Sequence, residues 1–271
     1  FLDARPTWTP FALAKEKTMP SIDLNSDLGE SFGRYTLGCD TEIIPLVSSC
    51  NIACGAHAGD PVVMRNTVAL AAEAGIALGA HPGYPDLQGF GRRSMVLSPD
   101  ETYACVLAQI GALSAFCTAK GVRLHHVKPH GQLYNTAAKD LETAQAIAEA
   151  VRDFDANLVL VGLAGSNLIE AGKTCGLATA QEFFLDRNYN DDGTLRSRTL
   201  PDAVIADEEF AIARAIETIK TGIVRSYDGV EIPVHPGTIC VHGDTPQALA
   251  YIRRIREAFK QNGIEIAPVG K

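Results

Sequence analysis

No CxxC pair occurs among the seven cysteines of this 271-residue chain, which are scattered at positions 39, 50, 54, 105, 117, 175 and 240. An odd number without paired spacing argues against a disulfide framework and reads as reduced thiols of a cytoplasmic protein. No uninterrupted run of about 18 apolar residues is present, so no membrane span is expected. Basic residues are in deficit, 24 against 32 acidic for a net charge of -8. That balance argues against a nucleic-acid or anionic-membrane surface and leaves small ligands or protein partners. No Pro/Ser-rich linker divides the chain, and residues 20–271 are expected to form one domain, as α/β barrels of about 200 to 250 residues do. Residues 1–19 stand apart as an extension of unknown role. Pro6, Pro10, Lys15, Glu16 and Lys17 interrupt every apolar run there, and residues 11–14 are too short for the apolar core of a secretory signal.

Nucleotide-binding loops are missing too. Residues 165–174, GSNLIEAGKT, place six residues between the glycines where a phosphate loop has four, and the middle reads as helix. Residues 89–94, GFGRRS, lack the last glycine of a dinucleotide fingerprint. No HxxxH or HxxEH spacing ties His57, His81, His130 and Asp23 into a metal centre, and no metal is assigned. A zinc-like ion on those four donors remains the alternative.

What is present is an alternation of strands and helices. Residues 21–30, SIDLNSDLGE, carry Ile22, Leu24 and Leu28 on one face of an extended chain and Asp23, Asn25 and Asp27 on the other. Unpartnered carboxylates are costly to bury, so the acid face must see solvent or line a polar site. Further strands are expected at 49–54, 76–80, 122–127, 157–161, 179–185 and 238–241. Helices are expected at 40–47, 61–75, 98–121, 141–154, 168–173, 208–221 and 246–263. Their ends carry recognisable signals: Asp60-Pro61, the capping box from Ser98 to Glu101, and the stops Gly75, Gly121 and Gly222. A polar excursion at 186–202 reads as a functional loop. Seven strands alternating with helices predict an α/β fold with a parallel sheet, either a closed β/α barrel or an open doubly wound sheet.

Polar residues collect where those strands end: Asn25 to Glu30, Asn51, His57, His81, Lys128, His130, Glu182, Asp186, His242 and Asp244. A closed barrel brings them to one mouth. Strand parity agrees, since His126, Lys128 and His130 share a face, as do Glu182, Phe184 and Asp186, and Thr238, Cys240 and His242. Parity points His125 under a helix instead. Arg92 and Arg93 have the fork geometry that suits an anionic group.

Six segments in order, DLNSDLGESFG (23–33), NIACGAHAGD (51–60), GAHPGYPDLQGFGRR (79–93), VKPHGQLYN (127–135), EFFLDRNY (182–189) and ICVHGD (239–244), resemble the LamB/YcsF family, the A subunits of bacterial-type 5-oxoprolinases. The resemblance covers about residues 20–268. It implies a single seven-stranded β/α barrel akin to sugar-deacetylase barrels. It also implies ATP-dependent opening of 5-oxo-L-proline to L-glutamate, carried out with two partner subunits. The missing phosphate loop then places ATP on a partner. Within that chemistry, Asp23 or Glu182 is expected to act as base on water, and Lys128 with His130 to stabilise charge at the former amide oxygen. His57, His81 or His242 would relay the proton. Arg187, or Arg92 and Arg93, would hold the substrate carboxylate, with Asn25 and Asn51 lining the same pocket. A metal-dependent deacetylase or amidohydrolase and a non-catalytic substrate-binding scaffold are the competing expectations.

Overall fold

The computed structural model describes residues 19–197, 199–241 and 246–270, the side chains of Pro246 and Gln247 excepted. The extension up to residue 18 and the site candidate His242, with Asp244, lie outside the described residues.

Strands β1 (Ser21–Leu28), β2 (Ser49–Ala53), β3 (Ala77–His81), β4 (His126–Val127), β5 (Val159–Leu163) and β6 (Ala178–Phe183) pair in parallel, each with the next. A two-stranded antiparallel ribbon, β7 (Ile223–Arg225) and β8 (Glu231–Pro233), lies outside this sheet. Strand β9 (Thr238–Cys240) then pairs with β6 on one side and β1 on the other, closing a seven-stranded parallel barrel. The closed form is therefore the correct choice of the two. A short β10 (Glu265–Ile266) adds to the start of β1.

Eight α-helices accompany the strands among the described residues: α1 (Asp40–Ile43), α2 (Pro61–Ala74), α3 (Pro99–Lys120), α4 (Gly131–Ala137), α5 (Leu141–Phe154), α6 (Asn167–Thr174), α7 (Glu208–Thr221) and α8 (Pro246–Gln261). Their local causes are those the sequence announces. Asp60 Oδ1 accepts from the N–H groups of Val62 and Val63 ahead of Pro61, and Ser98 and Glu101 cap each other at the start of α3. Gly75, Gly121 and Gly222 end α2, α3 and α7 in the left-handed conformation. Among the described residues α3 alone is long and apolar enough to cross a membrane by composition. In the fold it packs against α2, α5 and β3. The phosphate-loop-like stretch is helix α6, as its pattern requires.

Alternation along the strands divides the barrel into two environments. Even residues of β1 (Ile22, Leu24, Leu28) join Ile52, Leu78, Val127, Leu160 and Ile239 in the large core between sheet and helices. Odd residues of β1 face the lumen, in register with Ser49 and Asn51 of β2 and with Thr238 and Cys240 of β9. The lumen has its own small apolar cluster, Val159, Val161 and Ala180, packed by Val269 from the chain's last turn. The remaining lumen is polar, and that is where the site lies.

Candidate functional site

Deepest in the lumen, the Asp23 carboxylate accepts hydrogen bonds from Ser48 Oγ (2.6 Å), Ser49 Oγ (2.8 Å) and Thr238 Oγ1 (2.6 Å). Burial raises its pKa and the three hydroxyls pull it back. With both oxygens occupied by hydroxyls from β9 and the start of β2, Asp23 acts as a knot joining strands. Beside it Asn51 and His126 are linked, His126 Nε2 lying 2.8 Å from Asn51 Oδ1. The imidazole occupies the space beside Gly79 that a Cβ there would fill. Burial foremost, then His125 and Lys128, push the pKa of His126 down to about 3.

One level up, Lys128 occupies the centre. Its Nζ lies 2.7 Å from Glu182 Oε1, 3.1 Å from Asp27 Oδ1, 3.2 Å from Asn25 Oδ1 and 3.3 Å from Cys240 Sγ. Desolvation works against the ammonium, but Asp27, Cys240 and Glu182 outweigh it, and the lysine pKa rises well above its usual value. Lys128 is therefore a permanent buried cation. Asn25 Nδ2 donates to Thr238 Oγ1 (2.6 Å) and Glu182 Oε1 (3.3 Å), and its oxygen accepts from Asn51 Nδ2 (2.7 Å). Glu182 Oε2 is buried without a hydrogen-bond partner among the described residues. Burial, then the nearby Glu182 carboxylate, holds the Tyr134 phenol well above its ordinary pKa, so a neutral hydroxyl sits beside that acid.

The mouth holds three histidines and two acids. His57 and His130 stack with ring centroids 3.6 Å apart and planes within 1°, and His81 meets His130 edge-on at 4.9 Å. His81 Nε2 lies 3.0 Å from His130 Nδ1 and 3.4 Å from Asp27 Oδ2. Glu30 Oε1 lies 3.7 Å from His130 Nδ1 and 3.8 Å from His57 Nε2. Ligand atoms of Glu30, His57, His81 and His130 all fall within 4.8 Å of one another, a grouping able to hold a metal ion. Burial depresses both His57, well below its usual pKa, and His130, to about 3. Solvent reaches this cluster through the acids: the side chains of Asp27 and Glu30 are 16% and 15% exposed, against 1% for His81.

Glycines of the loop after β3 seat the stack. A Cβ on Gly83 would meet His57 Nδ1 at 2.6 Å, and one on Gly91, whose φ is +64°, would meet His130 Cδ2 at 2.7 Å and His57 Cβ at 2.8 Å. At the base of the cluster Gly29, φ +69°, turns the chain out of β1 with its N–H held by Asp40 Oδ2 at 2.9 Å. That turn carries Glu30 over the histidines.

Most of the residues expected from sequence converge here: Asn25, Asn51, His57, His81, Lys128, His130 and Glu182. Asp23 joins the deeper hydroxyl knot rather than the histidines. Two of the three arginines, Arg93 and Arg187, are engaged elsewhere. Arg93 is paired with Asp86, its Nε 2.8 Å from Oδ1, and Arg92 is exposed with its guanidinium 5.2 Å over the Phe90 ring. Arg187 is buried and donates to the carbonyls of Ala203 (3.2 Å) and Arg196 (2.6 Å), pinning the 186–205 excursion. Asp27 and Glu30, for which no separate role was expected, meet the lysine and the histidines. His126 was legible by parity with Lys128 but carried no role, and Tyr134 was hidden in α4, a helix the sequence reading did not anticipate.

Comparison with known proteins bears on what the arrangement is for. The model of the LamB/YcsF family matches residues 22–271. The chain is 54% identical to the A subunit of the Tolumonas auensis 5-oxoprolinase over 248 residues, 92% of this chain and 99% of that protein. It is 52% identical to the A subunit of the Bacillus subtilis 5-oxoprolinase over 253 residues, 93% and 98% of the two chains. Among solved structures, a lactam utilization protein from Thermus thermophilus superposes with a TM-score of 0.86 at 50% identity, covering 91% of this chain and 99% of that one.

Proposed function

Because the chain belongs to the LamB/YcsF family, we propose that it works as the A subunit of a 5-oxoprolinase, opening the lactam of 5-oxo-L-proline to L-glutamate with ATP hydrolysis and with two partner subunits. The observation that carries this reading is the buried Lys128 ammonium, 2.7 Å from Glu182 and 3.1 Å from Asp27, which joins it to the histidine cluster at His81. A five-membered lactam is a poor electrophile with an amine leaving group, so opening it requires a polarised carbonyl, an oriented water and a proton for nitrogen. In this lumen the fixed ammonium supplies positive potential for a developing oxyanion, in a dry setting where it is worth most. Glu182, with Oε2 unspent, takes the proton from water. Of the two acids expected for that role it is the better placed, since both oxygens of Asp23 are committed to hydroxyls.

The proton that Glu182 takes from water goes to the lactam nitrogen as the ring opens, and His130 and His81, whose ring nitrogens meet at 3.0 Å, wall that side of the site. The substrate carboxylate is oriented from the rim by Arg92, whose guanidinium is exposed and lies over Phe90 rather than against an acid. ATP binds at a partner, in keeping with the absence of a phosphate loop here. The test is reconstitution: L-glutamate is measured from 5-oxo-L-proline and ATP by the two partner subunits, with and without this chain. Formation that depends on the chain supports the reading, and equal formation without it refutes it.

The histidine cluster favours one second reading, a metal-dependent amidohydrolase acting on a small amide. It requires turnover by this chain without ATP, and ATP-dependent turnover alone excludes it.

A further inference from the structure

We propose that His81, His130 and Glu30, flanked by His57 and Asp27, bind one divalent cation of the zinc class at the barrel mouth. The tautomers of two rings point to it first. His81 Nδ1 lies 2.7 Å from the Lys128 carbonyl, and His130 Nε2 lies 2.8 Å from the Phe90 carbonyl. A carbonyl oxygen only accepts, so each of these outer nitrogens carries the hydrogen. In neutral rings the inner nitrogens, His81 Nε2 and His130 Nδ1, are then both bare lone pairs. They nevertheless face each other at 3.0 Å with no donor between them. A cation placed between the lone pairs turns that contact from repulsive to bonding, and a backbone carbonyl on the outer nitrogen is the usual way to aim a metal-binding imidazole.

The donor spacing suits such an ion as well. Four-coordinate zinc with bonds near 2.1 Å sets its donor atoms roughly 3.4 Å apart. The donors here are separated by 3.0 Å (His81 and His130), 3.4 Å (His81 and Asp27), 3.7 Å (His130 and Glu30) and 3.8 Å (His57 and Glu30). Both ring nitrogens of His57 are also buried without a hydrogen-bond partner among the described residues. A buried polar group left unmatched is costly, and here it lies beside the same point. Imidazole and carboxylate donors together suit zinc, iron or nickel better than magnesium or calcium.

Charge favours the same ion. Asp23, Asp27, Glu30 and Glu182 face the lumen or its mouth, with Lys128 as the one permanent cation among the described residues holding them. A divalent ion offsets most of that excess and makes the mouth fit for an anionic ligand. Only this last consequence, acceptance of an anion, rests on the function proposed above; the site itself does not.

The test uses the full chain without partner subunits, stripped with a chelator and titrated with Zn²⁺ in a calorimeter, then with Co²⁺ while visible absorption is followed. One equivalent per chain is expected, with micromolar or tighter affinity and the absorption of nitrogen- and oxygen-ligated Co²⁺. Glu30→Gln, which keeps the side chain's size at a partly exposed position, and His130→Ala are each expected to lose more than the roughly 10- to 100-fold that a change behind the ligands costs. His235→Ala, outside the cluster, should bind as the parent does. Absence of stoichiometric binding by the parent chain overturns the proposal whatever the variants do. Equal affinity in Glu30→Gln and His130→Ala places the ion elsewhere and overturns it too. Because binding is read without substrate or ATP, failure of the oxoprolinase reading leaves this result standing, and the reverse.

Discussion

Replacing Lys128 by methionine removes a charge while nearly keeping volume, and its cost follows from what surrounds it. The ammonium is 4% exposed and its closest partner, Glu182, is fully buried. Without it the Glu182 carboxylate keeps, among the described residues, Asn25 Nδ2 at 3.3 Å and the neighbouring Tyr134 hydroxyl, and Asn25 and Asp27 each lose a donor. Breaking a buried pair by removing one partner costs about 3–5 kcal/mol, because the other charge stays buried and uncompensated. Set against a usual total of about 5–15 kcal/mol, the variant should still fold but be markedly weakened.

Urea denaturation at neutral pH followed by circular dichroism should show Lys128→Met weaker than the parent by about that amount. The double variant Lys128→Met/Glu182→Gln, which removes both charges, should recover a large part of the loss, with a coupling energy above about 1 kcal/mol. A neutral-pH deficit below about 1 kcal/mol, or a double variant no better than the single one, would refute the picture of a dry, mutually dependent pair.

Other outcomes follow from the same lumen. His126, buried beside Asn51 with its pKa pushed down to about 3, holds a proton in the unfolded chain that the folded chain refuses between about pH 6.5 and 3. Stability should therefore fall with acidification across that window by about 1.4 kcal/mol per pH unit for this group. His126→Gln should flatten the slope by about one proton in denaturation measured from pH 7 to 4; an unchanged slope would show that the ring is not held neutral. Asp23→Asn should weaken the fold by about 1–3 kcal/mol through its hydroxyl knot yet keep glutamate formation, whereas Glu182→Gln should lose it. The opposite pattern in steady-state assays would return the base to Asp23. Gly91→Ala places a Cβ 2.7 Å from His130 on a backbone with φ +64°, so beyond about 1 kcal/mol of backbone strain it should unseat the histidine stack and lower kcat. Parental turnover and thermal stability in that variant would refute the seating role.

The parts of this molecule legible in its sequence are those where one residue type answers one physical need. Alternation in β1 separated core from lumen because strand parity admits no exception without a bulge. Asp60, Ser98 and the glycines after α2, α3 and α7 marked helix ends through capping chemistry local to a few residues. Convergence of His57, His81, Lys128 and His130 was legible because parallel strands in a closed barrel all end on one side.

What was not legible depends on chain direction after a strand ends. Glu30 reaches the histidines only because Gly29 turns left-handed, and a glycine alone does not announce which way it turns. Arg187 looked like an anion binder, but its guanidinium serves the carbonyls of its own loop. Helix α4 starts at a left-handed Gly131 directly after His130 with no side-chain cap, and the β7–β8 ribbon consists of three-residue strands. Neither carries enough periodicity to be read.

The central claim is that the lysine-centred lumen of this chain carries lactam opening. It is tested most directly by reconstituting the chain with its partner subunits and measuring L-glutamate formed from 5-oxo-L-proline and ATP, parent against the charge-balanced Lys128→Met/Glu182→Gln variant. Circular dichroism and binding to the partners confirm that the variant is folded and assembled. Loss of glutamate formation with assembly intact is the predicted result, and parental turnover by the assembled variant would contradict the account.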